Sequence, residues 1–111
     1  MMADQASIWL IESPVTMVEG EQVAFSVDWL GAASVAEPDA WVYKNGADIT
    51  ATAMGSGDEH TISGNVLTLK KLTARANDGG SRYVVVIEAL VDGNVERRKL
   101  LVQVVKVHAE G

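Results

Sequence analysis

The side chains able to do chemistry are few and scattered. His60 and His108 are the only imidazoles, and the chain has no cysteine. Nucleophilic catalysis needs an activated nucleophile, a base and a group that orients the base. Serines are plentiful, but none sits in a nucleophile-elbow pattern. His60 falls in a Gly/Ser-rich stretch and His108 lies close to the end of the chain, so both read as structural or solvent-exposed. The missing cysteines remove a disulfide framework, a thiolate zinc site and a cysteine nucleophile. Gly55-Ser56-Gly57 is a lone G-x-G with no helical pattern after it and reads as a flexible loop. Asp58-Glu59 lacks the alternating oxygen ligands of a calcium loop. Asp39 and Asp48 are separated by a hairpin signal and form no general-acid pair. Arg97-Arg98-Lys99 is the only basic cluster and reads as solubilising charge on a strand near an edge. No metalloprotease, EF-hand or phosphate-loop motif occurs. The residues therefore predict no enzyme, no cofactor and no metal.

Composition narrows the partners. The chain of 111 residues has 15 acidic and 9 basic side chains, a net charge of −6. That balance repels phosphate backbones and anionic lipid, which excludes nucleic acid and the membrane surface as expected partners. Hydrophobic residues make up 48% of the chain, enough for a packed core rather than a disordered tail. The length fits one domain over residues 1–111, with its core over about 6–107. Met1 to Gln5 shows no basic stretch leading into an apolar one, so no standard signal peptide is read. The longest apolar run, Val84 to Val91, is interrupted by Glu88 and is too short to span a bilayer. The absence of cysteine leans toward folding inside a cell.

The elements follow a period of two, with turn residues about every ten positions, which predicts an all-β sandwich or barrel. Ser7 to Glu12 reads as a first strand broken by Pro14, and Val15 to Val18 as its continuation on the other sheet. Gln22 to Leu30 reads as one alternating strand with Val23, Phe25, Val27 and Trp29 on one face. Gly31 to Asp39 reads as a loop, Ala40 to Lys44 as a strand, and Asn45-Gly46 as a two-residue hairpin turn that pairs Val42 with Ile49. Met54 to Asp58 reads as a loop, followed by strands Glu59 to Ser63 and Val66 to Leu72, with Leu67 and Leu69 inward. Thr73 to Gly80 reads as a polar loop and Arg82 to Leu90 as the strongest strand. A second hairpin at Asp92-Gly93-Asn94 puts Tyr83, Val85 and Ile87 on one face with Leu100, Val102 and Val104. No helix is predicted.

From about Val15 to Val105 the chain resembles the immunoglobulin superfamily, particularly bacterial and phage Ig-like domains. Gly20 to Val27 is similar to the family's B strand, with Val27 in the place of its cysteine. Tyr43-Lys44-Asn45-Gly46 resembles the end of strand C, with Val42 at the core-tryptophan position and Trp41 one residue out of phase. Leu67-Thr68-Leu69 with Leu72 resembles strand E. Asp78 and Tyr83 resemble the acidic residue and tyrosine that open strand F, with one extra residue between them, and Val85 stands at the second cysteine. The resemblance implies a Greek-key sandwich of two antiparallel sheets, about 7–9 strands, without a disulfide, where Val27 and Val85 form an apolar pair. A fibronectin type III arrangement is the competing reading, with Trp29 as its core tryptophan. Tyr43 to Thr50, Ser63 to Val66, and Val91 to Asn94 with Arg98-Lys99-Leu100 resemble small Ig-like virion structural proteins of tailed phages and prophages. That likeness implies a capsid or tail decoration protein, made in the host cytoplasm and carried in the virion.

The predicted phase also yields a surface. With Val42, Val85 and Leu100 inward, Trp41, Tyr43, Val84, Val86, Leu101 and Val105 point outward. Strands C, F and G are neighbours in an Ig sheet, so these six residues would form one apolar, aromatic patch, a mark of an interface. The expectation is a protein partner or self-association through this patch. The other classes are a carbohydrate-binding module, in which Trp9, Trp41 or Tyr43 stacks on a sugar ring, and a cell-surface adhesion domain.

Overall fold

Two turns set the frame of the fold. In the computed structural model, which describes residues 15–55 and 59–107, Asn45 and Gly46 have φ of 52° and 83°, and Asp92 and Gly93 have φ of 50° and 86°. Left-handed values at both central positions define the type I′ turn, whose twist matches that of paired strands. The described strands are β1 (Val15–Val18), β2 (Gln22–Val23), β3 (Ser26–Asp28), β4 (Val35–Lys44) and β5 (Ala47–Asp48). A helical turn, α1 (Thr50–Ala53), leads on to β6 (Thr61–Ser63), β7 (Val66–Thr68), β8 (Leu72–Thr73), β9 (Arg82–Val91) and β10 (Asn94–Val105). The predicted strand at Ser7 to Glu12, the Ser56-Gly57-Asp58 stretch and His108 lie outside the described residues.

One sheet runs β1-β10-β9-β4-β5, with β1 parallel to β10 and the other pairs antiparallel. Opposite it lie β3-β7-β6 and the short pair β2-β8. This is the immunoglobulin order, B-E-D facing G-F-C with an added C′ strand, and it decides against the fibronectin reading. Both hairpins take the predicted phase: the Ile49 N–H donates to the Val42 carbonyl at 2.8 Å, and Tyr83 faces Val102. Val27 and Val85 are buried between the sheets with Met17, Val42, Leu67, Ile87, Leu100, Val102 and Val104. The core is therefore an apolar stack, with valines at the two positions where the resemblance puts cysteines.

Four expectations about the elements are corrected. Gln22 to Leu30 is not one ladder. Val23 faces Leu72 while Val27 faces Leu67, so four steps on one strand oppose five on its neighbour. The extra residue, at Lys70-Lys71, is a bulge that flips the phase. Leu67 and Leu69 before it, and Leu72 and Ala74 after it, are all buried for that reason. Second, Gly31 to Asp39 is a loop only as far as Ser34, because Val35 and Ala36 pair with Val91 and Leu90. A register shift between Ala36 and Asp39 accommodates Glu37 at φ 52° and Pro38, which has no N–H to give. The segment thus lies within the sheet rather than over its face. Third, α1 was not expected. Asp48 accepts both the Thr50 N–H at 2.9 Å and the Thr50 hydroxyl at 2.6 Å, which bends the chain into a turn. These bonds also lower the Asp48 pKa. Met54, placed in a loop by the sequence, is buried at the end of this turn with Ala53.

The fourth correction concerns Arg98. Leu100 and Val102 point inward, so Arg98 on the same phase does too. Its guanidinium lies 5.1 Å from the centre of the Trp29 ring, and Glu96 takes the Trp29 Nε1 hydrogen bond at 3.3 Å. Burial lowers the Arg98 pKa and Glu96 opposes it. Arg98 is a lid on the core, not a solubilising charge. At the same end of the sandwich, Asp92 Oδ1 accepts the Ala33 and Ser34 N–H groups at 2.8 Å each. The β9–β10 turn thereby holds the loop between β3 and β4.

Candidate interaction surface

The outer face of the five-stranded sheet is set by the ladder. Reading across it, Tyr43 faces Val84, which faces Leu101. Trp41 faces Val86, which faces Lys99. Asp39 faces Glu88, which faces Arg97, and Ala36 faces Leu90, which faces Val95. Val105 pairs with Val18 at the β1 edge. Side chains alternate across a strand, so these residues share the face opposite the core. Trp41, Tyr43, Val84, Val86, Leu101 and Val105 are each half-buried, and Val95 is 60% exposed. The two aromatics stand two residues apart on β4 and so point the same way.

Sign of charge is divided across this face. Arg97 and Lys99 lie on β10, to one side of the central strand β9, and Asp39 lies on β4, to the other. Arg97 also reaches Glu88 at 2.6 Å on β9. The opposite sheet presents a different outer surface. Ser26, Thr68 and Thr61 face one another across β3, β7 and β6, with Asp28, Val66 and Ser63 beside them. Ser26 and Thr68 share a hydroxyl hydrogen bond of 2.9 Å. One face combines aromatic and aliphatic side chains with the charges of Asp39, Glu88, Arg97 and Lys99, and the other is mostly small hydroxyls with Asp28 and Val66.

Two titratable groups, Asp78 and Tyr83, sit where the resemblance to strand F puts them and tie the corner together. Asp78 is buried at the corner before β9. Its carboxylate accepts Lys44 Nζ at 2.8 Å, Arg75 Nε at 2.8 Å and the Tyr83 hydroxyl. The Tyr83 oxygen in turn accepts the Arg75 N–H at 3.0 Å, a tyrosine corner. Burial would raise the Asp78 pKa, but the hydrogen bonds from Arg75, Lys44 and Tyr83 outweigh it and hold the carboxyl well below the carboxylate range. Arg75 Nη1 also donates to Thr52 Oγ1 at 2.8 Å, tying the corner to α1. Asp39 Oδ1 accepts its neighbour Ala40 N–H, and no contact links Asp39 to Asp48. Among the described residues, no three His, Asp or Glu side chains converge as a metal site. No described helix is long and apolar enough to cross a membrane. The surface openings beside β4, β5 and β6 are shallow, lined by residues such as Asp48, Thr50, Glu59, His60 and Lys70.

His60 is half-buried, and its Nδ1 accepts the Lys70 N–H at 3.1 Å, which requires that nitrogen to be unprotonated. Burial, then the charge of Lys70, lowers its pKa, while Asp39 opposes them. The unfolded chain takes up the proton near the ordinary value of 6.5 and the folded chain only below it. Stability from this group is therefore full above that value and declines as pH falls beneath it. Urea midpoints of the wild type should drop between about pH 7.5 and pH 5.5 more steeply than those of His60→Gln. Parallel slopes for the two proteins would remove His60 from this role.

No family model matches the sequence, and no curated protein matches it. A three-Ig-domain fragment of titin carrying a Glu-to-Ala change aligns with a TM-score of 0.53 and 14% identity, over 89% of this chain and 32% of that one. A chimeric titin Z1Z2 tandem, functionalized with an exogenous fibronectin peptide, aligns with a TM-score of 0.45 and 18% identity, over 85% of this chain and 44% of that one. The chain spans less than half the length of either. Strand order, the tyrosine corner and the first of these likenesses together show that this chain has the immunoglobulin-like β-sandwich fold.

Proposed function

We propose that the chain is a non-enzymatic structural or binding module that docks onto protein through the outer face of its five-stranded sheet. The observation that carries this reading is the contrast between the two outer faces. Trp41, Tyr43, Val84, Val86, Leu101 and Val105 gather on one, and hydroxyls dominate the other. Water tolerates small hydroxyls freely, whereas a contiguous apolar patch with aromatic anchors gains from being covered. The hairpin motifs that resemble phage Ig-like proteins favour a finer role, a decoration or structural protein of a virion. A carbohydrate-binding role is the second reading, favoured by Trp41 and Tyr43 standing two residues apart on one face of β4. Titration calorimetry against a glycan panel separates it from protein docking.

The test compares two double variants in the native source of the protein. Trp41→Asp/Val86→Asp should stay folded, because both side chains point away from the core, yet lose any high-mass assembly formed by the wild type. Ser26→Asp/Thr68→Asp should retain it. If the hydroxyl-face variant alone disrupts assembly, the docking surface is the other sheet.

A further inference from the structure

We infer that Asn45 is a site of spontaneous deamidation, where the folded chain converts its side-chain amide to aspartate and to isoaspartate. The inference stands apart from the docking role. Three steps in the sequence place an Asn or Asp before glycine: Asn45-Gly46, Asp78-Gly79 and Asp92-Gly93. Glycine leaves its own nitrogen unshielded, so that nitrogen can reach the side-chain carbonyl carbon of the residue before it. The other asparagines, Asn65, Asn77 and Asn94, precede Val66, Asp78 and Val95, whose side chains crowd the approach.

The reaction needs only water and hydroxide. The Gly46 nitrogen gives its proton to hydroxide and attacks the Asn45 side-chain carbonyl. A C–N bond closes a five-membered succinimide, and the amide nitrogen leaves as ammonia with a proton taken from water. Water then opens the ring. Cleavage of the new C–N bond gives aspartate. Cleavage of the original peptide bond gives isoaspartate, whose main chain carries an extra carbon.

Ring closure requires a free nitrogen, a side chain free to turn and a backbone able to leave its resting conformation. At Asp78-Gly79 the carboxylate is held by Lys44, Arg75 and Tyr83, and the Gly79 N–H donates to Glu19 Oε2 at 2.8 Å. At Asp92-Gly93 the carboxylate is held by the Ala33 and Ser34 N–H groups. The Asp92 N–H also donates to the Ser34 carbonyl at 3.0 Å, and the turn joins the long central pair β9 and β10. Asn45 and Gly46 are exposed. Among the described residues, no hydrogen bond engages the Asn45 side chain or the Gly46 N–H. This turn leads into β5, an edge strand of two residues, so opening it locally costs little. The sequence offers three sites, and the structure leaves one unfastened.

The two products differ in their fit. Aspartate suits a type I′ turn, as Asp92-Gly93 shows. Isoaspartate lengthens the turn and upsets the count that pairs Lys44 with Ala47.

The test incubates the purified chain and an Asp92→Asn variant in mildly alkaline buffer, folded and in urea. Asp92→Asn gives both type I′ turns the same Asn-Gly chemistry, and its side-chain oxygen still accepts the Ala33 and Ser34 N–H groups. Peptide mapping by mass spectrometry, with enzymatic methylation specific for isoaspartate, reads each site. In urea, positions 45 and 92 of the variant should convert alike. In the folded variant, position 45 should convert at least about tenfold faster than position 92, because only the second is fastened. In the wild type, folding should slow conversion at Asp78 and Asp92 at least about tenfold more than at Asn45. Equal rates at positions 45 and 92 of the folded variant overturn the inference. So does an Asn45 that stays intact in the folded chain while it converts in urea. Should Asp92→Asn fail to fold, the wild-type comparison decides alone, and equal slowing at all three sites overturns the inference.

Discussion

Trp29→Ala should cost roughly 3–5 kcal/mol of stability, the range for truncating a large buried aromatic. The ring is 3% exposed and closes one end of the space between the sheets. Its loss would leave a cavity that the rigid ladders on either side cannot collapse to fill. It would also strip the Arg98 guanidinium of the ring beneath it and leave Glu96 without the Nε1 donor. Trp29→Phe, which keeps most of the apolar volume, should lose distinctly less. Urea denaturation of the three proteins checks this, with equal slopes expected so that midpoints report stability alone. A loss within about 1 kcal/mol for Trp29→Ala, ordinary for a surface site, would mean that the ring contributes little to the core.

Asp78→Ala is expected to cost about 3 kcal/mol, the low end for breaking a buried ion pair. The reason for the low end is that Lys44 and Arg75 retain side-chain exposures of 26% and 30% and can turn to water. The group that cannot is the fully buried Tyr83, whose hydroxyl loses its acceptor. The same carboxylate governs acid behaviour. Its folded pKa is depressed, so the unfolded chain protonates first as pH falls. The stabilisation is present above the ordinary value of 3.8 and is lost progressively below it. The wild type should therefore lose stability between about pH 4 and pH 2, and Asp78→Asn should show a flatter acid limb there. An acid limb of unchanged steepness in the variant would place the acid-sensitive group elsewhere.

Much of the fold was legible because type I′ turns leave no freedom of register. Once Asn45-Gly46 is read as a two-residue turn, and Asp92-Gly93 or Gly93-Asn94 as the second, the phase of Val42, Tyr83, Val85 and Leu100 follows, because the two choices differ by two residues and keep the same faces. The outward set from Trp41 to Val105 follows from the same count. The bulge at Lys70-Lys71 was not legible, because a single inserted residue leaves no composition signal while reversing every face after it. The first part of β4, ahead of the predicted Ala40 start, was hidden by Pro38, which in a regular central strand would break the ladder but here sits at a bulge. The helical turn depends on one aspartate and one threonine, too little for a period to register. Arg98 could have been found. Its phase with Leu100 and Val102 placed a cation on the core face of β10, the same phase on which the predicted Gln22 to Leu30 strand carries Trp29.

The contact between Asp92 and the Ala33 and Ser34 backbone bears on how such a domain diversifies. At that end of the sandwich, the turn and the neighbouring loop are fastened by main-chain donors, so lengthening either one would unfasten both. Positions on the sheet face carry no such obligation. New specificity would accordingly accumulate by exchanging side chains at fixed backbone positions, in single steps, rather than by remodelling loops.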